Sequence, residues 1–347
     1  MSTTGETDRT WTAAELQALS RSYQAAAILN AAAELELFPA LAGGALTAAV
    51  LAERLACDLR GLVILLDALA AIALLKKAGD RYALAAGVSP PLTGNGPDGL
   101  LAITQHHANC LRNWAQLARA VKTGHPPDRL PSVRGEAADR AAFIGGMDNL
   151  SGPVANRILE ALRPLAFEHL LDIGGASGTW TIAFLSACPT ATATLLDLPP
   201  VIPLARQRLS DAGLSDRVRL VGADFMTDAL PVGADFAWLS AIAHQNSRAQ
   251  NRTLFAKIHA ALRPGGRLAI RDVLMEPDRI RPVAGALFAV NMLVATESGG
   301  TFTVNELRED LAAAGFGEFR VARRDEGMHG IVVASKSASD TAGRRLK

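Results

Sequence analysis

Four short stretches of the chain carry side chains suited to chemistry. In the first, Asp172-Ile173-Gly174-Gly175-Ala176-Ser177-Gly178, an acid follows the apolar pair Leu170-Leu171 and small residues recur at alternate positions. Without a Cβ at Gly174 and Gly178, a ligand can lie against bare backbone beside the start of a helix. The second is Asp197-Leu198, after the apolar run Ala193–Leu196, where a strand-end carboxylate suits a pair of ribose hydroxyls. The third is Asp224-Phe225, after Val218–Gly222. It combines an acceptor for an adenine amino group with a ring to pack beside the base. The fourth is His244, in the loop after Phe236–Ser240, where an imidazole can act as a general base. Strand-end acids also cap helices, and loop histidines also make purely local hydrogen bonds, so the weight lies in the combination.

The three acids fit a ligand with a ribose, an adenine and a sulfonium charge. A phosphate-binding dinucleotide loop would prefer G-x-G-x-x-G, whereas this loop reads Asp172-x-Gly174-x-Ala176-x-Gly178. The elements that must position these groups alternate. Strands are expected at 170–173, 193–196, 218–222, 236–240 and 267–272, with a last pair near 319–323 and 331–334. Helices are expected near 179–187, 200–212, 248–262 and 304–314. Such alternation predicts an α/β fold, a doubly wound Rossmann-like sheet with its ligand crevice at the carboxyl ends of the strands.

The first half reads differently. Residues 11–40 predict one helix with few exposed polar positions, buried on most sides and partly by another chain. Short helices over 47–56 and 59–74, then a Gly79-Asp80 turn and a strand Arg81–Leu84, make a winged-helix pattern. Residues 45–85 carry five basic and four acidic side chains, and the second helix is apolar where a DNA reader would carry Arg, Asn and Gln. This favours dimerisation over nucleic-acid binding. A loop at 86–98 and helices over 100–123, 136–150 and 153–162 follow. The expected division is 11–98 for the winged-helix domain, 99–165 for a helical linker and 166–337 for the ligand-binding domain.

A net charge of +1 offers no attraction to nucleic acid or anionic membrane. Cys57, Cys110 and Cys188 show no paired spacing, which predicts a reduced, cytoplasmic chain without a structural metal. The start, Met1–Thr10, is too polar for a signal peptide, and no apolar window is long enough to span a bilayer. The tail from Lys336 to Lys347 is polar and expected to fray.

Taken together, these motifs resemble the class I S-adenosyl-L-methionine (SAM)-dependent methyltransferases. More narrowly, the chain resembles the caffeate and acetylserotonin O-methyltransferase family, with its N-terminal winged-helix dimerisation domain. The resemblance spans about residues 15 to 335. It rests on Leu171–Gly178, Leu196-Asp197-Leu198-Pro199-Pro200-Val201-Ile202, Gly222–Phe225, the His244 segment and Leu262-Arg263-Pro264-Gly265-Gly266. The Asp197–Ile202 run is the most specific of these. The resemblance implies SAM as cofactor, with Asp172, Gly174 and Gly178 among the groups that bind it, Gly174 at the methionine part, and Asp197 and Leu198 at the ribose. It implies Asp224 and Phe225 at the adenine, Ser240 at the strand edge and His244 as general base.

The chain departs from the family around that base. Gln245 and Asn246 stand where an acid and a tryptophan are usual, and Ser240 replaces a lysine. The family's Gly-Gly-x-Glu-Arg-Thr stretch, whose glutamate orients the histidine, reads Gly299-Gly300-Thr301-Phe302-Thr303. Two substitutes are open: Glu297 before the glycines, or Gln245 without charge.

For the acceptor, Asn291 is a lone amide in the apolar run 286–293, a candidate substrate-orienting group beside Met292. Trp114, Phe143 and Met147 are candidate apolar walls, though plain core packing explains such residues equally. The expectation is methyl transfer to a hydroxyl of a small aromatic or polyketide-like molecule by a homodimer. C-, N- or S-methylation, a non-methylating SAM-fold protein and a DNA-binding regulator remain the alternatives.

Overall fold

The computed structural model describes residues 9–94 and 98–339. The expectations for the first eight residues, for 95–97 of the loop and for the tail beyond 339 lie outside the described residues. The chain forms two compact units. Residues up to Leu111 with Pro131–Gly146 make the first; Arg112–Leu130 and the chain from Met147 onward make the second. The helical stretch 99–165 is thus shared between them.

In the first unit the single helix expected over 11–40 is three, Ala13–Arg21, Tyr23–Glu34 and Leu37–Ala40. Thr12 and Glu15 form a reciprocal cap at its start, and the left-handed backbone of Glu36 (φ +58°) separates the last two. Within the single chain the burial begins late in this stretch. No residue of Ala13–Arg21 is buried, and Trp11, Leu16, Leu19 and Tyr23 are all exposed. The core instead begins at Ala32, Ala33, Leu37 and Phe38, which pack with Leu51, Leu66, Leu69 and Tyr82. Helix Ala48–Arg54 starts at Thr47, and Leu59–Ala71 starts at Asp58, whose side chain accepts from the Gly61 N–H at 2.8 Å. A small antiparallel sheet follows, in the order 46–47, 81–84, 75–78.

The second unit is built on one sheet. Its strands are β1 (His169–Ile173), β2 (Thr192–Asp197), β3 (Val218–Gly222), β4 (Ala234–Ser240), β5 (Leu262–Asp272), β6 (Gly317–Arg323) and β7 (Gly330–Ser335). They lie in the order β3-β2-β1-β4-β5-β7-β6. The first five are parallel, and β7 runs antiparallel to both β5 and β6. Helices α1 (Thr179–Ala187), α2 (Ile202–Asp211), α3 (Arg248–Ala261), α4 (Val283–Ala295) and α5 (Val304–Ala313) join or cover them.

Alternation along β1 sends Leu170 and Leu171 to opposite faces, and both are fully buried, as a parallel strand covered on both sides requires. On one face Leu171, Ile173, Leu239 and Ile270 pack with Phe255 and Ile258 of α3 and Leu307 of α5. On the other, Leu170 and Trp238 pack with Trp180 and Phe184 of α1 and Leu209 of α2. The register pairs Asp197 with Gly222 and Ser240 with Arg271, so the strand ends that carry the candidate residues share one edge. The helix expected over 100–123 breaks between Leu101–Trp114 and Leu117–Thr123.

Candidate active site at the carboxyl edge of the sheet

The small residues after Asp172 have a common backbone reason. Gly174, Ala176 and Gly178 all take positive φ, at +70°, +46° and +85°. Side chains larger than methyl fit poorly there, so the alternating pattern in the sequence is the alternating conformation of the turn. A Cβ on Gly174 would also lie 2.7 Å from Ile242 Cδ1. Asp172 sits beneath this turn and is 1% exposed; its Oδ2 accepts from the Thr181 hydroxyl of α1 at 2.6 Å. Burial pushes its carboxyl up to about 7. Asp172, expected among the cofactor-binding residues, lies within β1 beneath the loop, with its carboxylate buried.

The turn is closed from its far side by Asp197. Its Oδ2 accepts from the Ala176 N–H at 2.8 Å, and its Oδ1 from the Leu198 N–H at 2.7 Å. Burial raises the Asp197 carboxyl, and those two N–H groups oppose the rise. The Ala176 N–H that a phosphate would seek is already taken, so this loop suits a ligand whose hydroxyls donate to Asp197. Leu198 is exposed beside it. At the end of β3, Asp224 Oδ1 accepts from the Met226 N–H at 2.8 Å, and among the described residues no donor reaches its Oδ2. Phe225 is half-buried against the Ile242 side of the core. Lys257 of α3 donates to the carbonyls of Phe225 and Met226 at 2.6 and 2.9 Å and holds this turn down.

His244 follows β4 in a single helical turn, Ala243–Gln245, and is almost fully buried. Its Nδ1 lies 2.8 Å from Asp272 Oδ1, and its backbone N–H lies 3.2 Å from Asp272 Oδ2. A carboxylate at Nδ1 keeps the proton there and leaves Nε2 as an acceptor, the arrangement a general base needs. The ring of Phe288 from α4 meets the imidazole edge-on at 4.8 Å. Asp272 was not among the expected site residues. It carried the same signal as Asp172, Asp197 and Asp224: an acid ending an apolar strand, here Leu268-Ala269-Ile270.

Glu297, expected to orient the histidine, does not face it. Its side chain is exposed and lies 3.3 Å from exposed His125. The segment after α4 meets His244 through backbone instead: Gly300 N–H donates to the His244 carbonyl at 2.8 Å. Gln245 is exposed too and donates to the Ala241 carbonyl at 3.0 Å, so it does not hold the ring. Ser240 at the end of β4 accepts from Arg271 Nη1 at 2.7 Å. On α4, Met292 is buried, and Asn291 Oδ1 accepts from Trp114 Nε1 at 2.9 Å. Met147 begins the second unit's share of helix Glu136–Ser151 and is half-buried. Phe143, one turn earlier, belongs to the first unit, where its ring packs on His106 at 5.1 Å between centroids.

Residues 116–317 match the O-methyltransferase domain model, and residues 18–88 match the O-methyltransferase dimerisation domain model. The chain belongs to the O-methyltransferase family. It is a SAM-dependent methyltransferase. It is 33% identical to the 3-hydroxy-5-methyl-1-naphthoate 3-O-methyltransferase of Streptomyces sahachiroi, over 89% of this chain and 91% of that one. It is 30% identical to the N,N-dimethyltransferase OxyT of Streptomyces rimosus, over 93% of this chain and 96% of that one. Among solved structures it is similar to the mitomycin 7-O-methyltransferase MmcR, with a TM-score of 0.80 and 26% identity over 93% of this chain and 97% of that one.

An acid ends β2 and holds the glycine turn, another follows β3, and the acid at β5 holds a histidine. Arg208 of α2 braces the same turn. Its Nη1 donates to Ser177 Oγ at 2.7 Å and to Thr179 Oγ1 at 3.2 Å, and it pairs with Asp148 at 2.5 Å.

Proposed function

We propose that this methyltransferase acts on a hydroxyl of a small aromatic or polyketide-like molecule, with His244 as general base and Asp272 as the group that orients it. The His244–Asp272 contact is the observation that carries the reading. Bound SAM supplies an electrophilic methyl group. Methyl transfer would leave the electron pair of the carbon–sulfur bond on sulfur, and Nε2 of His244 would take the proton of the acceptor hydroxyl. Holding the oxygen in line contributes as much as the base does. Asp197 receives the ribose hydroxyls, Asp224 Oδ2 the adenine amino group, and Phe225 packs beside the base. Gly174 and Gly178 admit the methionine end, Leu198 lies with Asp197 at the ribose, and Ser240 stands at the strand edge. Phe288, Met147, Met292, Trp114 and Asn291 surround the acceptor. The naphthoate specificity in the name of one relative supports the aromatic class.

The exposed apolar residues Trp11, Leu16, Leu19 and Tyr23, within and beside the matched dimerisation domain, support a homodimer. The two capped helices and three-stranded sheet of the first unit support a winged-helix reading of that domain. No helix among the described residues is long and apolar enough to cross a membrane, which agrees with a cytoplasmic location. A second reading, N-methylation, is favoured by the similarity to an N,N-dimethyltransferase. A neutral amine needs no base before attack, which separates the two.

The test is release of S-adenosylhomocysteine across a panel of phenols, enols and aryl amines, by the wild type and by His244→Ala. O-methylation predicts phenol turnover that His244→Ala lowers by about 10²–10⁴-fold. Amine turnover that His244→Ala leaves at full rate would replace the first reading with the second.

A further inference from the structure

Arg271 stands one residue before Asp272 on β5, and alternation along the strand sends its side chain to the face opposite the His244 pair. It is 3% exposed, and its guanidinium lies over the indole of Trp180 in the first turn of α1, 4.9 Å from the ring centroid. Nη1 donates to Ser240 Oγ at 2.7 Å, while Nε and Nη2 donate to His329 Nδ1 at 3.2 and 3.1 Å. A guanidinium can only donate, so His329 Nδ1 carries no proton and the imidazole is neutral. Burial, and then the Arg271 charge, hold His329 below its ordinary value. The hydrogen-bond partners of Arg271 are therefore uncharged. Among the described residues no carboxylate pairs with it. Asp272 turns to His244, and Asp325 pairs with Arg323 and accepts from the Gly327 and His329 N–H groups, so both act on Arg271 from a distance. Burial pulls the Arg271 pKa down to about 10, which leaves it charged at neutral pH. Arginine is almost never buried this deeply without an anion, because an uncompensated buried charge is costly.

We propose that the anion for Arg271 is the carboxylate of the cofactor itself, with His329 holding the guanidinium ready for it. The inference rests on the reading that SAM lies along this edge with its methionine end over the glycine turn. Ser240 directly follows Leu239, which pairs in register with Ile173, so it stands level with Gly174. The guanidinium is thus bounded by the two elements that flank the turn, the end of β4 and the start of α1. Of the groups on SAM, the ribose and adenine are neutral, and the amine and sulfonium are cations. The carboxylate alone suits a guanidinium. Where a lysine is usual in the family, position 240 is serine, and a cation reaches it from the neighbouring strand instead. A carboxylate in place of His329 would orient the arginine and also neutralise it. A neutral imidazole orients it and leaves its charge for the ligand. His329 is a positioning residue, since it acts through Arg271.

The test measures, by titration calorimetry, the Kd of SAM and of decarboxylated SAM, which keeps the adenosine, sulfonium and amine but lacks the carboxylate. The quantity read is the preference for SAM over the decarboxylated compound. The wild type is expected to prefer SAM, and Arg271→Met to lower that preference about ten- to a hundredfold. Methionine keeps the apolar stem and removes a charge that is costly to bury, so the variant is expected to fold. His329→Gln, a neutral acceptor, is expected to stay within about threefold of wild type, and His329→Glu, which pairs with the arginine, to lower the preference about tenfold. A purely structural role for Arg271 and His329 predicts instead that each variant weakens both compounds alike. A preference that Arg271→Met and His329→Glu both leave unchanged, with SAM still bound, overturns this inference and spares the cofactor reading. Asp197→Ala reports on that reading separately, since it is expected to weaken both compounds alike. If it changes neither Kd, SAM does not lie along this edge as proposed, and both fall.

Discussion

The imidazole of His244 and the carboxylate of Asp272 meet at 2.8 Å with side chains only 7% and 4% exposed. Asp272 also accepts the N–H groups of His244 and Val273, so its own position is held by backbone from two elements. In the proposed function this pair fixes which imidazole atom accepts the proton. Asp272→Asn keeps the shape but offers an amide N–H to Nδ1, which moves the imidazole proton to Nε2. A fall in kcat of about 10²–10⁴-fold is expected, with SAM affinity within a few-fold of wild type. Glu297→Gln is expected to change kcat less than twofold. Steady-state kinetics on the best acceptor decides, and the reverse ranking of the two variants would return the orienting role to Glu297.

Asp197 serves two partners, the Ala176 N–H of the glycine turn and, in the proposed function, the ribose. Asp197→Ala removes a charged acceptor and leaves the turn's N–H without its partner. SAM affinity is expected to fall by about ten- to a hundredfold. Titration calorimetry measures it directly, and an unchanged Kd would remove Asp197 from the cofactor site.

Arg208 ties α2 to the start of α1 through Ser177 and Thr179, and to Asp148. Its pairing is about two-thirds buried, so the ion pair itself contributes only about 1 kcal/mol. Arg208→Met, which keeps the apolar stem, is expected to lower the melting temperature by a few degrees and to weaken SAM binding severalfold. Loss of stability with no change in SAM affinity would make Arg208 a purely structural brace.

The buried Asp172 gives the chain a pH signature. An unfolded aspartate titrates near ~3.9, whereas burial holds the folded group at about 7. Between those values the folded chain binds more protons than the unfolded one, so this group's contribution to stability falls as pH rises from about 4 to 7 and then levels off. Asp172→Asn can still accept from Thr181 and carries no charge to bury. Its melting temperature, relative to wild type, is expected to rise across that window and to be highest at pH 8. Parallel curves for the two proteins from pH 5 to 8, by scanning calorimetry, would contradict this.

What the sequence determined by itself is the part written in local backbone. The alternating small residues of 174–178 are alternating positive φ angles, a property of each residue alone. The alternation of strands and helices after residue 168, and the acids at the ends of β2 and β3, follow from periodicity and turn chemistry over a few residues. The parallel order was legible for the same reason, though the antiparallel seating of β7 beside β5 was not.

Tertiary structure alone decided the pairings between distant segments. His244 and Asp272 are 28 residues apart, and Trp114 and Asn291 are 177 apart. Asp272 showed the right residue type at a strand end, but only the β4–β5 register and the fold of the loop after β4 turn its carboxylate onto an imidazole. Glu297, closer in pattern to a known glutamate, was carried to the surface because the chain after α4 approaches His244 through the Gly300 N–H.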